Sequence, residues 1–242
     1  MTELLYQTDS YLQSFGAAVT SVDTDQYAVV LDRTAFYPGG GGQPNDTGTL
    51  TFNGQTVPVE KVKKASPDVL HFLAKDALLP EVGAGVSGQL DWARRYQLMR
   101  THTAMHILCG VVWRDYGAQV TGGNMEPLQG RMDFEFETMR QELVAEIEAA
   151  INAEVGLAHP LAVRILPREE AFQIPDLIRT KINLLPEGIK EVRVVEIKDL
   201  DLQADGGTHV ANTSEVGRIT ISDYKSKGKI NKRIYVQLEE EN

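Results

Sequence analysis

The chain has 242 residues, 42% of them hydrophobic and 24% charged, which is ordinary globular composition with room for one large or two modest domains. Its net charge of −10 argues against a protein that coats nucleic acid through its overall field, although a local basic patch remains compatible with it. The single cysteine, Cys109, excludes a disulfide within the chain, suits a small buried hydrophobe and favours a reducing, cytosolic setting. We expect neither export nor a membrane span, because the sequence has no signal-peptide pattern and no sufficiently long apolar run.

The first ninety residues have the pattern of short strands separated by turns, and Asn53-Gly54 is typical of a tight hairpin turn. Because no helical segments intervene, this pattern predicts a small antiparallel β-barrel over residues 1–91 rather than βαβ units. The predicted strands are 28–32, 48–52, 55–59, 69–73 and 86–90.

At residue 91 the periodicity changes to that of a helix, with Asp91 as the candidate N-cap and Gly117 as the candidate stop. The segment that begins at Gly122 is typical of a turn. Helical and strand patterns then alternate, so residues 92–242 are predicted to form an α+β domain. Its further predicted elements are strand 131–136, helix 140–155, strand 161–165, a short helix at 168–172, and strands 192–197, 218–222 and 233–238 in one sheet.

Two pairs of residues offer the ligands of a zinc-type ion. His102 and His106 lie four apart in the predicted helix, so one metal ion can reach both on a single face. Asp205 and His209 enclose a double glycine that permits a tight loop carrying two further ligands. Histidines at this spacing also occur by chance, and a simple turn explains the glycines, but a turn does not explain His209. We therefore predict one metal ion held by these four residues.

The pattern differs from that of a zinc protease, in which a glutamate follows the first histidine as the general base, because Thr103 follows His102 here. Four protein ligands also fill a tetrahedral shell, which is the arrangement of structural zinc, whereas catalytic zinc keeps one position open. A catalytic site remains compatible with this set if Asp205 binds weakly or makes way for water. A catalytic site is also compatible with four protein ligands if the metal organises the pocket while protein groups position the water.

Four consecutive glycines occupy residues 39–42. The segment lacks the lysine and hydroxyl of a P-loop, so it does not support nucleoside triphosphate binding. A loop of bare backbone can approach a ligand closely and donate N–H groups, and polar residues beside it can hydrogen-bond a small substrate. A flexible hairpin tip explains the composition equally well. The candidate binding residues are Gly40, Gly41 and Gly42, with Thr34 and Gln43 as candidate catalytic residues.

Positive charge is concentrated in residues 225–233 and at Arg94, Arg95 and Arg100. Each group is a candidate phosphate contact or a solvated face, and the solvated face is the ordinary interpretation of an isolated charge run. The candidate phosphate contacts in the first group are Lys225, Lys227, Lys229 and Arg233.

Together these segments resemble the editing domain of alanyl-tRNA synthetases and the free-standing AlaX proteins, over most of the chain. Members of this family carry Phe-Tyr-Pro with Gly-Gly-Gln, as at residues 36–38 and 41–43, and His-x-x-x-His, as at residues 102–106. They also carry Cys-Gly-Gly-Thr-His-Val, which here reads Asp-Gly-Gly-Thr-His-Val at residues 205–210. The presence of both regions looks like the longer AlaX type.

The resemblance implies a small β-barrel joined to the α+β editing domain shared with threonyl-tRNA synthetases. It also implies one Zn²⁺ ion bound by His102, His106 and His209. Asp205 stands where the family usually has cysteine. A carboxylate has the charge of a thiolate but is a harder ligand, so we expect weaker metal binding or a shifted metal preference.

The function implied by the resemblance is hydrolysis of mischarged tRNA(Ala), chiefly Ser-tRNA(Ala), with Gly-tRNA(Ala) as a further candidate substrate. Thr34 is the first candidate to pair with the serine hydroxyl and Gln43 the second. The expected partner is the acceptor end of tRNA(Ala), with no membrane and no obligate protein partner. Two alternatives remain open: a non-catalytic tRNA-binding module that keeps the fold, and a metallohydrolase of small esters.

Overall fold

The computed structural model describes residues 1–75, 77–180, 185 and 188–240. Its internal contacts divide the chain into two compact units, Met1–Tyr96 and Gln97–Asn242. None of the helices in the described ranges combines the length and the apolar character needed to cross a membrane.

The strands of the first unit are β1 (Glu3–Leu4), β2 (Ser14–Asp23), β3 (Ala28–Leu31), β4 (Arg33–Thr34), β5 (Gly48–Phe52), β6 (Gln55–Ala65), β7 (Asp68–Leu73) and β8 (Gly85–Leu90), with a 3-10 turn at Leu5–Gln7. Six of them close into an antiparallel barrel in the order β2-β3-β7-β6-β5-β8, and β1 pairs with β4 in parallel. The predicted barrel is confirmed. The sequence pattern missed β2 and the second half of β6.

The barrel encloses a core of alternate side chains. Leu50 on β5 and Val59 on β6 point inward together with Phe36, which follows β4, and all three are buried. The hairpin between β5 and β6 turns at Asn53 and Gly54, whose φ angles of 50° and 73° are those for which this residue pair is favoured. The local turn signal and the hydrophobic pattern therefore agree on the register of this hairpin.

A buried ion pair anchors the segment that follows the four glycines. Arg95 and Asp46 are almost completely inaccessible to solvent and form a salt bridge. The guanidinium also donates to the carbonyl oxygens of Ser10 at 3.0 Å and Ala35 at 2.6 Å, and the carboxylate accepts from the N–H of Tyr37 at 2.6 Å. Arg95 is thus unavailable to phosphate, and the interpretation of this residue as a phosphate contact is wrong.

Helix α1 (Trp92–Tyr116) has the predicted ends. The Asp91 carboxylate accepts from the N–H of Arg94 at 3.2 Å, which is N-cap geometry, and Gly117 ends the helix with a φ of 63°. Every residue over 98–112 is buried, so this stretch has no solvent-exposed face, although it contains arginine, threonine and histidine. Cys109 lies in this stretch and is buried, as expected.

The second unit continues with β9 (Val120–Glu126), β10 (Gln129–Glu135), α2 (Gln141–Gly156), β11 (Leu161–Pro167), α3 (Arg168–Ala171), β12 (Glu191–Ile197), β13 (Asp201–Ala204), a 3-10 turn at Thr213–Val216, β14 (Ile219–Ser226) and β15 (Asn231–Leu238). The strands form two antiparallel sheets, ordered β14-β15-β10-β9 and β11-β12-β13. The predicted α+β class is confirmed.

Two details of the predicted second unit are wrong. Strand β12 does not share a sheet with the last two strands, because it pairs with its chain neighbours β11 and β13. The predicted turn at Gly122 is part of strand β9, which pairs with β10. A side chain at Gly130 of β10 would place its Cβ 2.6 Å from the sulfur of Met105, and Gly123 of β9 faces the same methionine. Close packing on α1 therefore explains Gly130, and strand pairing with β10 places Gly122 and Gly123 in β9.

A buried histidine lies inside the barrel. The Nδ1–H of His71 donates to the carbonyl oxygen of Val29 at 3.2 Å, which leaves Nε2 to accept from the hydroxyl of Thr34 at 2.8 Å. Burial lowers the pKa of His71 to about 4, so the imidazole is neutral at pH 7.

The His71 pKa predicts a pH-dependent stability. Because the folded pKa lies below the unfolded value, the unfolded chain binds more protons between these two values, and stability is lost as the pH falls through this window. We expect this residue to remove about 2 kcal/mol from the free energy of unfolding between pH 7 and pH 5. Denaturant unfolding of the wild type and of His71→Gln, which keeps a donor and an acceptor, measures the difference. Equal pH dependence in the two proteins would contradict the assignment.

Candidate metal centre

The four predicted ligands come together in the second unit. One ligand atom from each of His102, His106, Asp205 and His209 lies within 4.8 Å of the others. The three imidazole rings pack against one another, with ring centroids 4.2 to 5.1 Å apart. Local sequence spacing predicted each pair, and the fold brings the two pairs into one cluster.

Helix α1 and a loop after β13 supply two ligands each. His102 and His106 are one helical turn apart on α1 and are both buried. Asp205 follows β13, and its carboxylate accepts from the N–H of Gly207 at 2.7 Å. This bond closes a tight turn that directs His209 back toward Asp205, where Nε2 lies 3.0 Å from the carboxylate.

The ring nitrogens that face away from the cluster have polar partners. The Nδ1–H of His106 donates to Asp201 at 2.9 Å, and Gln203 donates to the same carboxylate at 2.8 Å. The hydroxyl of Thr103 lies 3.1 Å from Nδ1 of His209 and can accept from it or donate to it. These partners direct the Nε2 atoms of both rings toward the cluster, which is the arrangement that orients histidine ligands in metalloproteins.

The protonation states suit metal binding. Burial lowers the pKa of His102 well below its usual value and that of His209 to about 4, so both rings are neutral at pH 7. Burial acts in the same direction on His106, but the hydrogen bond to Asp201 and nearby carboxylate charge raise its pKa. Burial would raise the pKa of Asp205, yet His102 and the hydrogen bond with His209 hold it well below its usual value. The cluster thus offers two neutral imidazoles, of His102 and His209, and the ionised carboxylate of Asp205.

The donor set fits one metal ion of the size of zinc. Imidazole and carboxylate ligands about 2.0–2.2 Å from such an ion lie about 3.3–3.6 Å from one another in a tetrahedron. The Asp205 carboxylate is 3.5 Å from Nε2 of His102 and 3.0 Å from that of His209, close to this spacing. Small movements would complete the shell. The cluster is therefore a candidate site for one metal ion.

The predicted glycine-loop residues lie in the first unit. Gly39, Gly40, Gly41 and Gly42 all have positive φ, and the loop is closed by reciprocal backbone hydrogen bonds between Gly40 and Gln43 at 2.9 and 3.0 Å. Four consecutive positive φ angles explain the four glycines, since other residues rarely adopt them. The loop is therefore a defined turn, with Gly40 and Gly41 exposed and Gln43 buried.

Thr34, on strand β4 of the first unit, is completely buried. Its hydroxyl donates to Nε2 of His71, and its oxygen accepts from the N–H of Phe36 at 3.1 Å. One lone pair of the oxygen remains for a further donor. Contact of Thr34 or Gln43 with a substrate stays a prediction.

The candidate phosphate contacts differ in their surroundings. Lys227 and Lys229 are exposed at the turn between β14 and β15. Lys225 is exposed as well but forms an ion pair with Asp223 at 2.8 Å. Arg233 donates two hydrogen bonds to the carboxylate of Asp133, at 2.6 and 2.8 Å. A phosphate role for these four residues stays a prediction, and the two lysines of the turn are the more accessible ones.

Comparison with known proteins agrees with this architecture. Residues 9–94 match the family described as tRNA synthetases class II (A), and residues 192–235 match the threonyl and alanyl tRNA synthetase second additional domain. The chain is 41% identical to the alanyl-tRNA editing protein AlaX-M of Saccharolobus solfataricus over 239 residues, which cover 97% of this chain and 98% of that protein. It is also 41% identical to AlaX-M of Methanosarcina acetivorans, with 98% and 99% covered.

The chain belongs to the AlaX family of alanyl-tRNA editing proteins. A match of 40% identity to the alanine–tRNA ligase of Thermococcus kodakarensis covers 91% of this chain but 24% of the ligase. The resemblance seen in the sequence motifs is thereby confirmed at the level of the family.

Sequence reasoning missed three residues around the AlaX-type cluster. Asp201 and Thr103 contact the outward nitrogens of two ligands, and Arg193 donates to the carbonyl oxygen of Asp205 at 3.0 Å. In the sequence, Thr103 serves only to exclude the pattern of a zinc protease. The one sequence signal that points to a role for Thr103 is its position beside His102. Nothing in the local sequence marks Asp201 or Arg193, because each reaches the cluster through strand pairing.

Asp201 generates a prediction about metal affinity. Replacing Asp201 with Asn weakens the acceptor for the Nδ1–H of His106, so we expect the affinity for Zn²⁺ to fall by about 10- to 100-fold. Competition with a chromophoric chelator measures this affinity. Asp199→Asn, an exposed change in the preceding turn, is the matched control. Circular dichroism of the metal-free variants shows whether both fold. Equal zinc affinity in folded Asp201→Asn and wild type would rule out the orienting role.

Proposed function

We propose that this protein is a metal-dependent hydrolase that deacylates mischarged tRNA(Ala) in trans, chiefly Ser-tRNA(Ala), with Gly-tRNA(Ala) as a second substrate. The observation that carries the proposal is the buried cluster of three histidines and Asp205 in a chain that aligns with AlaX-M proteins from end to end. We propose one Zn²⁺ ion at this cluster and action in the cytoplasm.

The chemistry required is modest. An aminoacyl ester is already activated, so orienting a water molecule and stabilising the developing oxyanion can suffice without a strong protein nucleophile. A bound Zn²⁺ ion would supply electrostatic stabilisation and a water of lowered pKa. The protein holds His106 through Asp201 and His209 through Thr103, which keeps the ligand rings in a single orientation.

Asp205 is the ligand that we propose to be weakly bound. Its carboxylate is already engaged by the N–H of Gly207 and lies 3.7 Å from the guanidinium of Arg193. Both partners contact the same carboxylate oxygen and draw negative charge away from it. A weakly held fourth ligand can give way to water, which removes the conflict between a filled tetrahedral shell and catalysis.

Selection of the amino acid is proposed for Thr34, with Gln43 second. Because the hydroxyl hydrogen of Thr34 is directed to His71, its oxygen is an acceptor toward any further partner. An acceptor that pairs with the serine hydroxyl is left unpaired by alanine, and such a difference can be large in a buried pocket. Gly40 and Gly41, which are exposed, are proposed to contact the substrate together with Gly42, whereas the N–H of Gly40 already donates to Gln43.

Binding of the acceptor stem is proposed for the basic segment, with Lys227 and Lys229 as the main phosphate contacts and Lys225 and Arg233 beside them. Such contacts make affinity fall with salt despite the acidic total charge. The alternative function is a non-catalytic tRNA-binding module, favoured by the replacement of the family cysteine by Asp205. It would bind tRNA without releasing amino acid.

The proposal predicts selective deacylation. Purified protein should release serine from Ser-tRNA(Ala) well above background, glycine from Gly-tRNA(Ala) to a lesser extent, and little alanine from Ala-tRNA(Ala). His106→Ala removes one ligand, so zinc content and serine release should fall together. Amino-acid release and metal analysis of untagged protein are the measurements.

The outcomes separate the alternatives. Background release from all three substrates with intact tRNA binding would favour the non-catalytic module. Hydrolysis of serine methyl ester at the same efficiency as Ser-tRNA(Ala) would favour a general esterase. Unchanged zinc in His106→Ala would remove this residue from the ligand set.

Thr34 carries a separate prediction. Thr34→Val deletes the hydroxyl, so the ratio of kcat/KM for Ser-tRNA(Ala) to that for Ala-tRNA(Ala) should fall by about tenfold or more. Thr34→Ser retains the hydroxyl and is the matched control. Because Val also leaves His71 without its donor, thermal unfolding should be recorded for both variants. A preserved ratio in folded Thr34→Val would transfer the selective role to another residue.

A further inference from the structure

We propose that the open edge of strand β11 pairs with the same strand of a second copy of this chain, which gives a dimer with a twofold axis at Arg164. Two features of the strand select this partner: the backbone groups that its edge leaves open and the side chains beside them. The inference is independent of the proposed hydrolase activity and uses residues that the proposed function does not.

Strand β11 (Leu161–Pro167) lies at the edge of the sheet β11-β12-β13. It pairs with β12 on one side, and among the described residues no strand pairs with it on the other side. A strand at such an edge presents unpaired N–H and C=O groups, which can pair with an extended segment of another chain. At the opposite edge of the sheet, the N–H of Ala204 on β13 donates to the carbonyl oxygen of Leu177 at 3.1 Å. The edge at β11 is therefore the more open one.

The open groups of β11 can be assigned to two residues. The N–H of Leu161 donates to the carbonyl oxygen of Ala211 at 2.8 Å, so it points away from β12. Since the backbone groups of alternate residues point to the same side of a strand, those of Val163 and Ile165 also point away from β12. Pro167 comes next in this series but has no N–H. Within the part of the chain that the structure describes, Val163 and Ile165 are thus the residues of β11 with both groups open.

These open groups select one register for an antiparallel pair of identical strands. With the twofold axis at Arg164, Val163 of one copy lies opposite Ile165 of the other, and each such pair can exchange both of its backbone hydrogen bonds. An axis at Val163 would bring Leu161, whose N–H is occupied, into the ladder. An axis at Ile165 would bring in Pro167, which lacks a donor. The axis at Arg164 is therefore the one that uses every open group.

The side chains beside these groups suit the same register. Val163 is 38% and Ile165 is 41% exposed, although both are β-branched residues of the kind that packs well in sheets. In the proposed register each packs against the other across the new pair, and cross-strand contacts of this type stabilise a sheet. The middle of β11 has no lysine, proline or bulge, which are devices that keep many edge strands from pairing.

Charge limits the strength of the dimer. Arg164 would lie opposite its own copy, and like charges in such a position oppose pairing. Each guanidinium lies 3.5 Å from the carboxylate of Glu196 in its own chain, which reduces this repulsion. The net charge of −10 on each chain also opposes association, and salt screens it. We therefore expect a reversible dimer that becomes stronger as salt is added.

The test combines sedimentation velocity with paired charge substitutions. For the wild type, the fraction of dimer should rise over about a hundredfold range of concentration and should also rise with salt. In Val163→Lys/Ile165→Lys the register places lysine opposite lysine, so we expect a monomer. In Val163→Lys/Ile165→Glu the register places lysine opposite glutamate, so we expect the dimer to be retained.

The variant with opposite charges is the matched folding control, because it changes the same two positions. Val82→Lys/Leu157→Lys controls for added positive charge, because both residues are 65% exposed and lie outside β11. It should dimerise as the wild type does. Circular dichroism shows whether each variant folds.

Three results would overturn the proposal. The first is a wild type that stays monomeric at every concentration or forms species larger than a dimer. The second is a dimer that persists in Val163→Lys/Ile165→Lys. The third is a folded Val163→Lys/Ile165→Glu that is monomeric, because the twofold register at Arg164 would then be wrong. Since no result depends on deacylation, failure of the proposed hydrolase activity would leave this test unaffected.

Discussion

Burial of residues 98–112 of helix α1 on all sides is the constraint on which the second unit depends. A helical stretch with no exposed face must have its polar side chains hydrogen-bonded within the protein. Arg100 donates to the carbonyl oxygens of Val216 and Glu239, and Thr101 accepts from the N–H of Leu128. The side chains of Thr103, His102 and His106 contact polar side chains of the segment that follows β12, namely His209, Asp205 and Asp201. The polar residues of α1 therefore determine which chain segments pack around it.

The metal cluster is part of the same arrangement. The N–H of Val210 donates to Thr103 at 3.3 Å, and the same hydroxyl contacts His209, so the loop that carries two ligands is attached to the helix that carries the others. Asp201 connects β13 to His106 in a similar way. A substitution that disturbs these contacts would change both packing and ligand orientation.

Asp205 shows how a carboxylate can occupy the position of a family thiolate. The two groups have the same formal charge, so the charge balance with Arg193 and the histidines is preserved. The carboxylate has two oxygen atoms, and one of them closes the turn with Gly207 while the other lies 3.5 Å from His102. The substitution therefore combines a structural hydrogen bond with a carboxylate that, as the proposed metal ligand, is harder than a thiolate.

Local signals in the sequence determined much of this protein. Asn53-Gly54, the cap at Asp91 and the spacing of His102 and His106 each depend on residues within a few positions of one another, and each is present in the structure. Only the tertiary structure decided which strands share a sheet and that Gly122 lies in a strand. It also decided which carboxylates pair with His106 and Arg233. Asp201 and His106 are 95 positions apart, and Asp133 and Arg233 are 100 apart. Such partners meet through strand register and helix packing, for which no short stretch of sequence carries a signal.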